Sequence, residues 1–546
     1  MKKIIILLAL FSIVHFSFAQ SLEESIDSYI LSIYPDDGPG ASVLISKKGK
    51  ILFRKSYGLA NIELQVPMKP ENVFELGSIT KQFTSVAILM LEEQGKLSVK
   101  DKITKYIPDY PSDNKTITIH HLLNHTSGIK SYTSMPSFLK MARQDMTPTE
   151  IIDVFKNEPM DFDPGEQFLY NNSGYILLGY IIEKVSGISY EEYVETNFFE
   201  KIGMGSSYYG KMKQMIPNRA AGYQPKGDGY QNADYLSLTL PYAAGSLMST
   251  VDDMLKWQNA INNNTFITRS SLNKAINGSQ LNSGENIEYG YGWINGNING
   301  SSHVSHGGGI FGYTTSGIYF PKEDVYVIGL TNCTCKNIGD ITMKIGAMAI
   351  GKPFPDKKDE VSLSQMQLKK WVGAYQFDGS VIRHITMKNG KLFSQREGST
   401  NLPIFALSDS HFIFDEGTTA YNFSKDDNEK RMVIMKSSDG EKKGKEVNKA
   451  PPAQKKEITV SSNILKKYVG KYELQPGFIL TIRYGDGSLY AQATGQPEFP
   501  LFAESETNFF LKAVPASIFF KMNKDGSAES LTLHQGGAVM PAKKIE

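Results

Sequence analysis

Cysteine is almost missing from this chain: Cys333 and Cys335 are the only two among 546 residues. A pair separated by one residue bridges only with strain and cannot staple a domain, so free thiols are expected and a disulfide-built fold is excluded. Net charge is nearly missing too. The 58 basic and 57 acidic side chains leave a formal charge of +1, which gives no electrostatic reason to expect nucleic acid or an anionic membrane surface as partner. Past the first residues, no segment approaches the roughly 18 apolar residues of a membrane span. The 40% hydrophobic and 21% charged content is ordinary for a globular protein, and the chain is too long for one core, so two or three domains are expected.

What is there begins with a leader. Lys2 and Lys3 precede an apolar stretch from Ile4 to Phe16, and Ser17-Phe18-Ala19 offers a small-x-small cleavage site before Gln20. Residues 1–19 therefore read as a secretory signal, and no cysteine at the cleavage point invites a lipid anchor. A periplasmic or secreted protein is expected.

The chain is organised around Phe74-Glu75-Leu76-Gly77-Ser78-Ile79-Thr80-Lys81. From Ile79 onward, Phe83, Val86, Ala87, Met90 and Leu91 repeat at helical period, and Gly95 follows as a stop. Ser78 then sits at a helix N-terminus, where free N–H groups can meet a developing oxyanion, with Lys81 one turn on. A lysine boxed in by apolar neighbours loses proton affinity and can take the serine proton. Four other Ser-x-x-Lys pairs occur, at Ser112/Lys115, Ser127/Lys130, Ser137/Lys140 and Ser271/Lys274, so spacing alone singles out none. Context favours Ser78.

Further elements follow in order. A helix over 21–33 and a hairpin of 41–46 with 51–57 precede the serine. Helices are expected over 118–124 and 147–157, and from Tyr175 to Val185 up to Gly187. His121 and His125 stand at i, i+4, but no glutamate lies between them and no third ligand cluster follows, so histidines that hydrogen-bond a loop are expected rather than a metal site. Tyr170-Asn171-Asn172-Ser173 precedes the Tyr175 helix. Asn172 or Ser173 could cap it; functionally, Tyr170 could turn its hydroxyl toward Ser78. A second Tyr-x-Asn, Tyr230/Asn232, has no helix behind it. Thr250 and Asp253 are spaced as a capping box for a helix over 251–261.

Strands are then expected over 289–295, 302–308, 314–320 and 325–331, with turns at Asn295-Gly296 and Pro321–Asp324. With the first hairpin they make an antiparallel sheet flanked by helices, an α+β arrangement. His306-Gly307-Gly308-Gly309 lies within it, and glycines in a strand mark a close approach of ligand to backbone. After a polar linker over 351–367 the chain repeats itself. Leu368-Lys369-Lys370-Trp371-Val372-Gly373-Ala374-Tyr375 matches Leu465-Lys466-Lys467-Tyr468-Val469-Gly470-Lys471-Tyr472, and the offset of 97 persists at Pro403/Pro500 and Phe412/Phe509. Each copy reads as about eight short strands in a small antiparallel barrel or sandwich.

Ser78-Ile79-Thr80-Lys81, Tyr170-Asn171-Asn172 and His306-Gly307-Gly308, with the His125-Thr126-Ser127-Gly128 run, resemble the class C β-lactamase-related serine hydrolases. That group includes penicillin-recognising D,D-peptidases, D-aminopeptidases and esterases. The resemblance covers about 35–350, and the C-terminal copies resemble lipocalin-like β-domains. It implies an acyl-enzyme at Ser78, proton transfer by Lys81 and Tyr170 with Tyr170 as the base, Asn172 on the substrate amide or Lys81, and an oxyanion hole from the N–H groups of Ser78 and Gly309. His306, Gly308 and Gly309 would line the substrate. His306 stands where β-lactamases and carboxypeptidases carry the lysine of Lys-Thr-Gly, so a permanent cation is replaced by a side chain mostly neutral at pH 7. Esters or amides of D-residues are therefore expected as substrates, with weak action on β-lactams.

The expected organisation is a signal at 1–19, a serine hydrolase domain at 20–355, and β-repeats at 356–455 and 456–546. The substrate is a small molecule or peptide. No cofactor or metal is called for, and assembly of copies through the C-terminal repeats stays open. Two other readings remain: a non-catalytic binder of peptidoglycan-like or D-amino-acid ligands, and an apolar ligand held in a barrel mouth.

Overall fold

The structure, a computed structural model, describes residues 22–546 apart from 113, 212, 228, 378–380, 398, 400, 438–439, 452–456, 476–477, 495–497, 513, 515, 525 and 536–537. The leader read over 1–19 lies outside the described residues. The chain divides into two compact units, Met1–Phe354 and Pro355–Glu546.

In the first unit six antiparallel strands form one sheet. In chain order they are β1 (Ala41–Lys47), β2 (Lys50–Tyr57), β3 (Ile294–Ile298), β4 (Ser301–Ile310), β5 (Tyr313–Phe320) and β6 (Val325–Thr331). The spatial order is β3-β4-β5-β6-β1-β2. Lys48 and Gly49 turn the first hairpin with φ of 53° and 69°, the double positive φ of a tight hairpin turn. Both faces are covered. Val43, Ile45, Val325 and Val327 pack with Ile26, Ile30, Ile341 and Ile345 from helices on one side, and Leu44, Ile328 and Leu330 join the larger core on the other. Burial on both faces is why β1 and β6 are buried along almost their whole length rather than at alternate positions.

The helix after the serine, α1 (Thr80–Glu93), is buried at every position from Thr80 to Leu91. Phe83 anchors it, stacked on Trp257 with ring centroids 3.8 Å apart and edge-on to Phe198 and Phe199. Burying one such ring contributes about 1.5–3 kcal/mol. The second long helix, α2 (Asn172–Ser186), ends at Gly187, whose φ of 81° is the left-handed stop.

Three expectations are corrected. The strand expected over 289–295 starts only at Ile294, because Tyr289-Gly290-Tyr291-Gly292-Trp293 is a packed loop: a Cβ on Gly290 would lie 1.9 Å from the Ala275 carbonyl oxygen. Asn295-Gly296 lies inside β3, and the turn falls at Asn299-Gly300, with φ of 48° and 83°. The cysteines are not free: Cys333 and Cys335 form a disulfide across a Cα separation of 5.1 Å. The loop after β6, where Thr334 N–H donates to the Tyr223 carbonyl, brings the two within ordinary disulfide reach.

The second unit contains two closed barrels of eight antiparallel strands, running from Gly373–Gln376 to Gly440–Val447 and from Gly470–Gln475 to Ala538–Lys544. The repeat extends to individual hydrogen bonds. Tyr375 OH donates to the Trp371 carbonyl at 2.9 Å, as Tyr472 OH does to that of Tyr468 at 2.8 Å. Trp371 Nε1 donates to Asp409 O and Tyr468 OH to Glu506 O. In the first barrel Phe412 and Tyr421 pack ring to ring against Phe423, placing aromatic core where an apolar ligand would need space. Among the described residues no helix is long and apolar enough to cross a membrane.

Candidate active site

Ser78 lies in the single turn Gly77–Ile79 that leads into α1, and it is the one partly exposed residue in a run otherwise buried from Asn72 to Leu91. Gly77 has a φ of 54°, and a Cβ there would meet the backbone of Gly309 at 3.0 Å. The turn and β4 therefore touch backbone to backbone. Gly308 completes the fit: a Cβ would fall 1.9 Å from the Leu76 carbonyl oxygen, which also accepts from Thr315 Oγ1 at 2.7 Å. At Gly309 a Cβ would meet nothing, so that position opens on free space. The pairing of β3 with β4 stops at Ser305, which leaves the 306–310 edge of β4 free on that side.

Lys81 is fully buried and has three polar neighbours. Its Nζ lies 2.8 Å from Asn172 Oδ1, 2.9 Å from the Ala244 carbonyl oxygen and 3.1 Å from Ser78 Oγ. The first two atoms accept only, so two N–H bonds of the lysine are committed to them and its third direction faces the serine. Burial, with no carboxylate beside it, holds the lysine well below its ordinary pKa. In its uncharged form Lys81 would turn its lone pair toward the Ser78 hydroxyl. The other Ser-x-x-Lys lysines differ: Lys130 and Lys274 bind Asp161 and Glu92 at 2.7 and 2.8 Å, Lys115 binds Asp163, and Lys140 is exposed.

Neighbouring segments fix this geometry. Thr80 Oγ1 accepts from Leu247 N–H and Thr84 Oγ1 donates to Ala243 O at 2.7 Å, so α1 grips the 243–247 segment that presents Ala244. Asn172 is the first residue of α2, and its Nδ2 donates to Thr133 Oγ1 at 3.0 Å, which aims Oδ1 at the lysine. The helix cap is Asn171, which accepts from Gly174 N–H, rather than Asn172 or Ser173.

Tyr170 approaches from the preceding loop. Lys81 Nζ is 4.8 Å from its ring centroid, and its hydroxyl is within polar reach of the Ser78 side chain. The residue as a whole is 36% exposed, while its hydroxyl is buried beside Ser78. Burial drives its pKa far above the usual phenol value, and the Ser78 contact offsets only part of this. His125, with φ of 62°, holds the Tyr170 loop: its Nδ1 accepts from Asn171 N–H and its carbonyl from Leu169 N–H. His121 Nδ1 accepts from Thr118 N–H in a capping box. These histidines hydrogen-bond the backbone, and among the described residues no His, Cys, Asp and Glu group is arranged to hold a metal.

His306 projects beside Tyr170, ring centroids 6.2 Å apart. Its Nδ1 is 2.6 Å from Gly307 O and its Nε2 2.9 Å from Tyr289 OH. A carbonyl oxygen only accepts, so Nδ1 carries the proton and Nε2 takes the Tyr289 hydroxyl. Burial first, then Lys81, lowers its pKa to about 3.

Sequence reasoning missed Ala244, Thr133 and Tyr289. A main-chain carbonyl and a threonine leave no chemical signature. Tyr289 was hidden in an aromatic–glycine alternation that mimics a strand.

The matching family model, described as beta-lactamase, spans residues 34–339, and the chain belongs to that family of serine hydrolases. A second model, a domain of unknown function (DUF3471), matches 454–543, over the second barrel. Penicillin-binding protein 4* of Bacillus subtilis (strain 168) is 28% identical over 512 residues, 91% of this chain and 93% of its own length. The octameric penicillin-binding protein homologue from Pyrococcus abyssi is 28% identical with a TM-score of 0.56, over 78% of this chain and 99% of that one. A penicillin-binding protein from Bacillus halodurans is 29% identical with a TM-score of 0.52, over 59% of this chain and 98% of that one.

Proposed function

We propose that the protein is a secreted or periplasmic serine hydrolase that cleaves ester or amide bonds through an acyl-enzyme on Ser78. The observation that carries this reading is the buried Lys81, committed to Asn172 Oδ1 and Ala244 O and facing Ser78 Oγ at 3.1 Å. Lys81 takes the hydroxyl proton as Oγ attacks the carbonyl carbon. The oxyanion is met by the N–H groups of Ser78 and Gly309. Tyr170, which burial keeps protonated, suits proton donation to the leaving group better than the base role that the resemblance implied. Lys81 passes the serine proton on to Tyr170 as the leaving group departs. Water then attacks the acyl carbon and gives a proton to Lys81, which returns it to Ser78 Oγ as the acyl bond breaks and the acid is released. Lys81 and Tyr170 titrate as a pair in this scheme.

A β-lactam or a D-Ala-D-Ala peptide brings a carboxylate that the neutral His306 does not balance. Turnover should therefore be weak on both and stronger on neutral esters and on amides of D-residues. Comparing kcat/KM for a penicillin, a D-Ala-D-Ala peptide and a short-chain nitrophenyl ester tests this, and a clear win for the penicillin would refute it. The octameric Pyrococcus abyssi homologue supports assembly of copies here as well, which light scattering of the full chain and of residues 20–354 would locate.

A further inference from the structure

In the class C pattern the position of His306 is the place for a cation that meets the substrate carboxylate, and here both ring nitrogens are already taken. Nδ1–H donates to Gly307 O and Nε2 accepts from Tyr289 OH. Tyr289 is itself pinned. Its loop is pressed against α1, where Gly292 leaves no room for a Cβ beside the Lys81 carbonyl, and its ring packs on His125 at 4.6 Å between centroids. The imidazole is 3% exposed.

We propose that Tyr289 is a specificity-determining residue: by occupying Nε2 of His306 it withholds both charge and donor from the substrate, so the cleft takes substrates with no carboxylate on the leaving-group side. The inference rests on the acyl-transfer reading above and adds to it the side chain that sets the substrate class. The titratable groups around His306 do not oppose it. Burial and then Lys81 on α1 hold the ring's pKa down, and the neighbouring His125 is itself held well below its ordinary value, by burial first. Tyr170 and Tyr289 are held protonated by burial, as are Tyr319 and Tyr326, which line a small cavity beside the ring. Across on β5, His306 faces Gly317, which does not titrate.

Freed of the phenol, the imidazole regains an unpaired lone pair on Nε2. Burial still holds its pKa down, but a carboxylate bound beside Nε2 raises it, so the ring takes up a proton together with the anionic ester as the pH falls. The test uses the full chain with phenyl and 3-carboxyphenyl esters of phenylacetylglycine, which differ only by a carboxylate on the leaving group. The wild-type protein should prefer the phenyl ester about 100-fold, with a ratio flat from pH 5.5 to 8.0. In Tyr289→Phe that ratio should narrow about tenfold at pH 5.5 and stay unchanged at pH 8.0. Adding His306→Asn should restore the wide ratio. An unchanged ratio at pH 5.5 in Tyr289→Phe overturns the proposal. Parallel loss of both esters at every pH also overturns it, since that would make Tyr289 a support for β4 alone. Failure of the underlying hydrolase reading looks different: ester turnover would persist in Ser78→Ala whatever the ratio.

Discussion

Lys81 Nζ donates to Asn172 Oδ1 across 2.8 Å, and that bond fixes which way the amine can face. Asn172 is itself oriented by Thr133, and Ala244 O takes a second lysine proton. The remaining direction points at Ser78. No carboxylate balances Lys81, and an isolated ammonium in that surrounding is costly, which favours the neutral amine.

Asn172→Asp should therefore invert the lysine's state. A carboxylate beside Nζ favours the ammonium and raises the lysine pKa, so the base is protonated over more of the pH range. At pH 7 kcat/KM should fall about 100-fold or more, and the alkaline rise of the pH–rate profile should move upward. An unmoved profile would contradict the assignment of Lys81 as base.

Lys81→Met keeps the volume and removes the amine. It leaves Asn172 Oδ1 and Ala244 O without a donor, but it also removes a costly buried amine, so stability should change by less than about 2 kcal/mol in urea titration. Ester turnover should drop by about a thousandfold.

Gly308→Ala and Gly309→Ala should separate fold from chemistry. A methyl at 308 collides with the Leu76 carbonyl and Thr315, so the protein should lose about 1–3 kcal/mol together with activity. A methyl at 309 enters open space. The melting temperature should stay near wild type while kcat falls, because the methyl crowds the oxyanion position.

Acid should destabilise the first unit through its buried histidines. Burial lowers His120 and His303 to about 4 and His306 to about 3. Unfolded, these rings bind protons near pH 6.5, so the unfolded state holds more protons below that value and stability rises with pH across this window. Their contribution is full above about pH 6.5 and is lost progressively toward pH 4, by up to about 1.4 kcal/mol per pH unit for each ring. Urea titrations at pH 7.5, 6 and 5, followed by tryptophan fluorescence, read this out; equal stability at all three would contradict it.

Much of the fold was legible because it follows from patterns. The stripe from Ile79 to Leu91 marked α1, the hairpin turn after 41–46 and the apolar stretch 325–331 marked β1 and β6, and the 97-residue offset marked the paired barrels. The structure brings Ser78, Lys81, Tyr170, Asn172 and His306 into one neighbourhood, together with the backbone of Gly308 and Gly309. What stayed hidden depends on tertiary contact. Ala244 acts through a carbonyl that every residue carries. The Tyr289 loop alternates like a strand yet folds as a plug against Lys81. Whether Asn171 or Asn172 caps α2 turns on which amide is aimed at Gly174, a choice spacing alone does not make. The disulfide depends on a loop geometry set by Tyr223, far away in sequence.

The most direct measurement is mass spectrometry of the intact protein and its peptides after incubation with a fluorophosphonate probe. An activated serine at Ser78 predicts one adduct, mapped to the peptide holding Ser78, absent from Ser78→Ala and formed far more slowly in Lys81→Met. No adduct, or one carried by another serine at undiminished rate in Ser78→Ala, would contradict it.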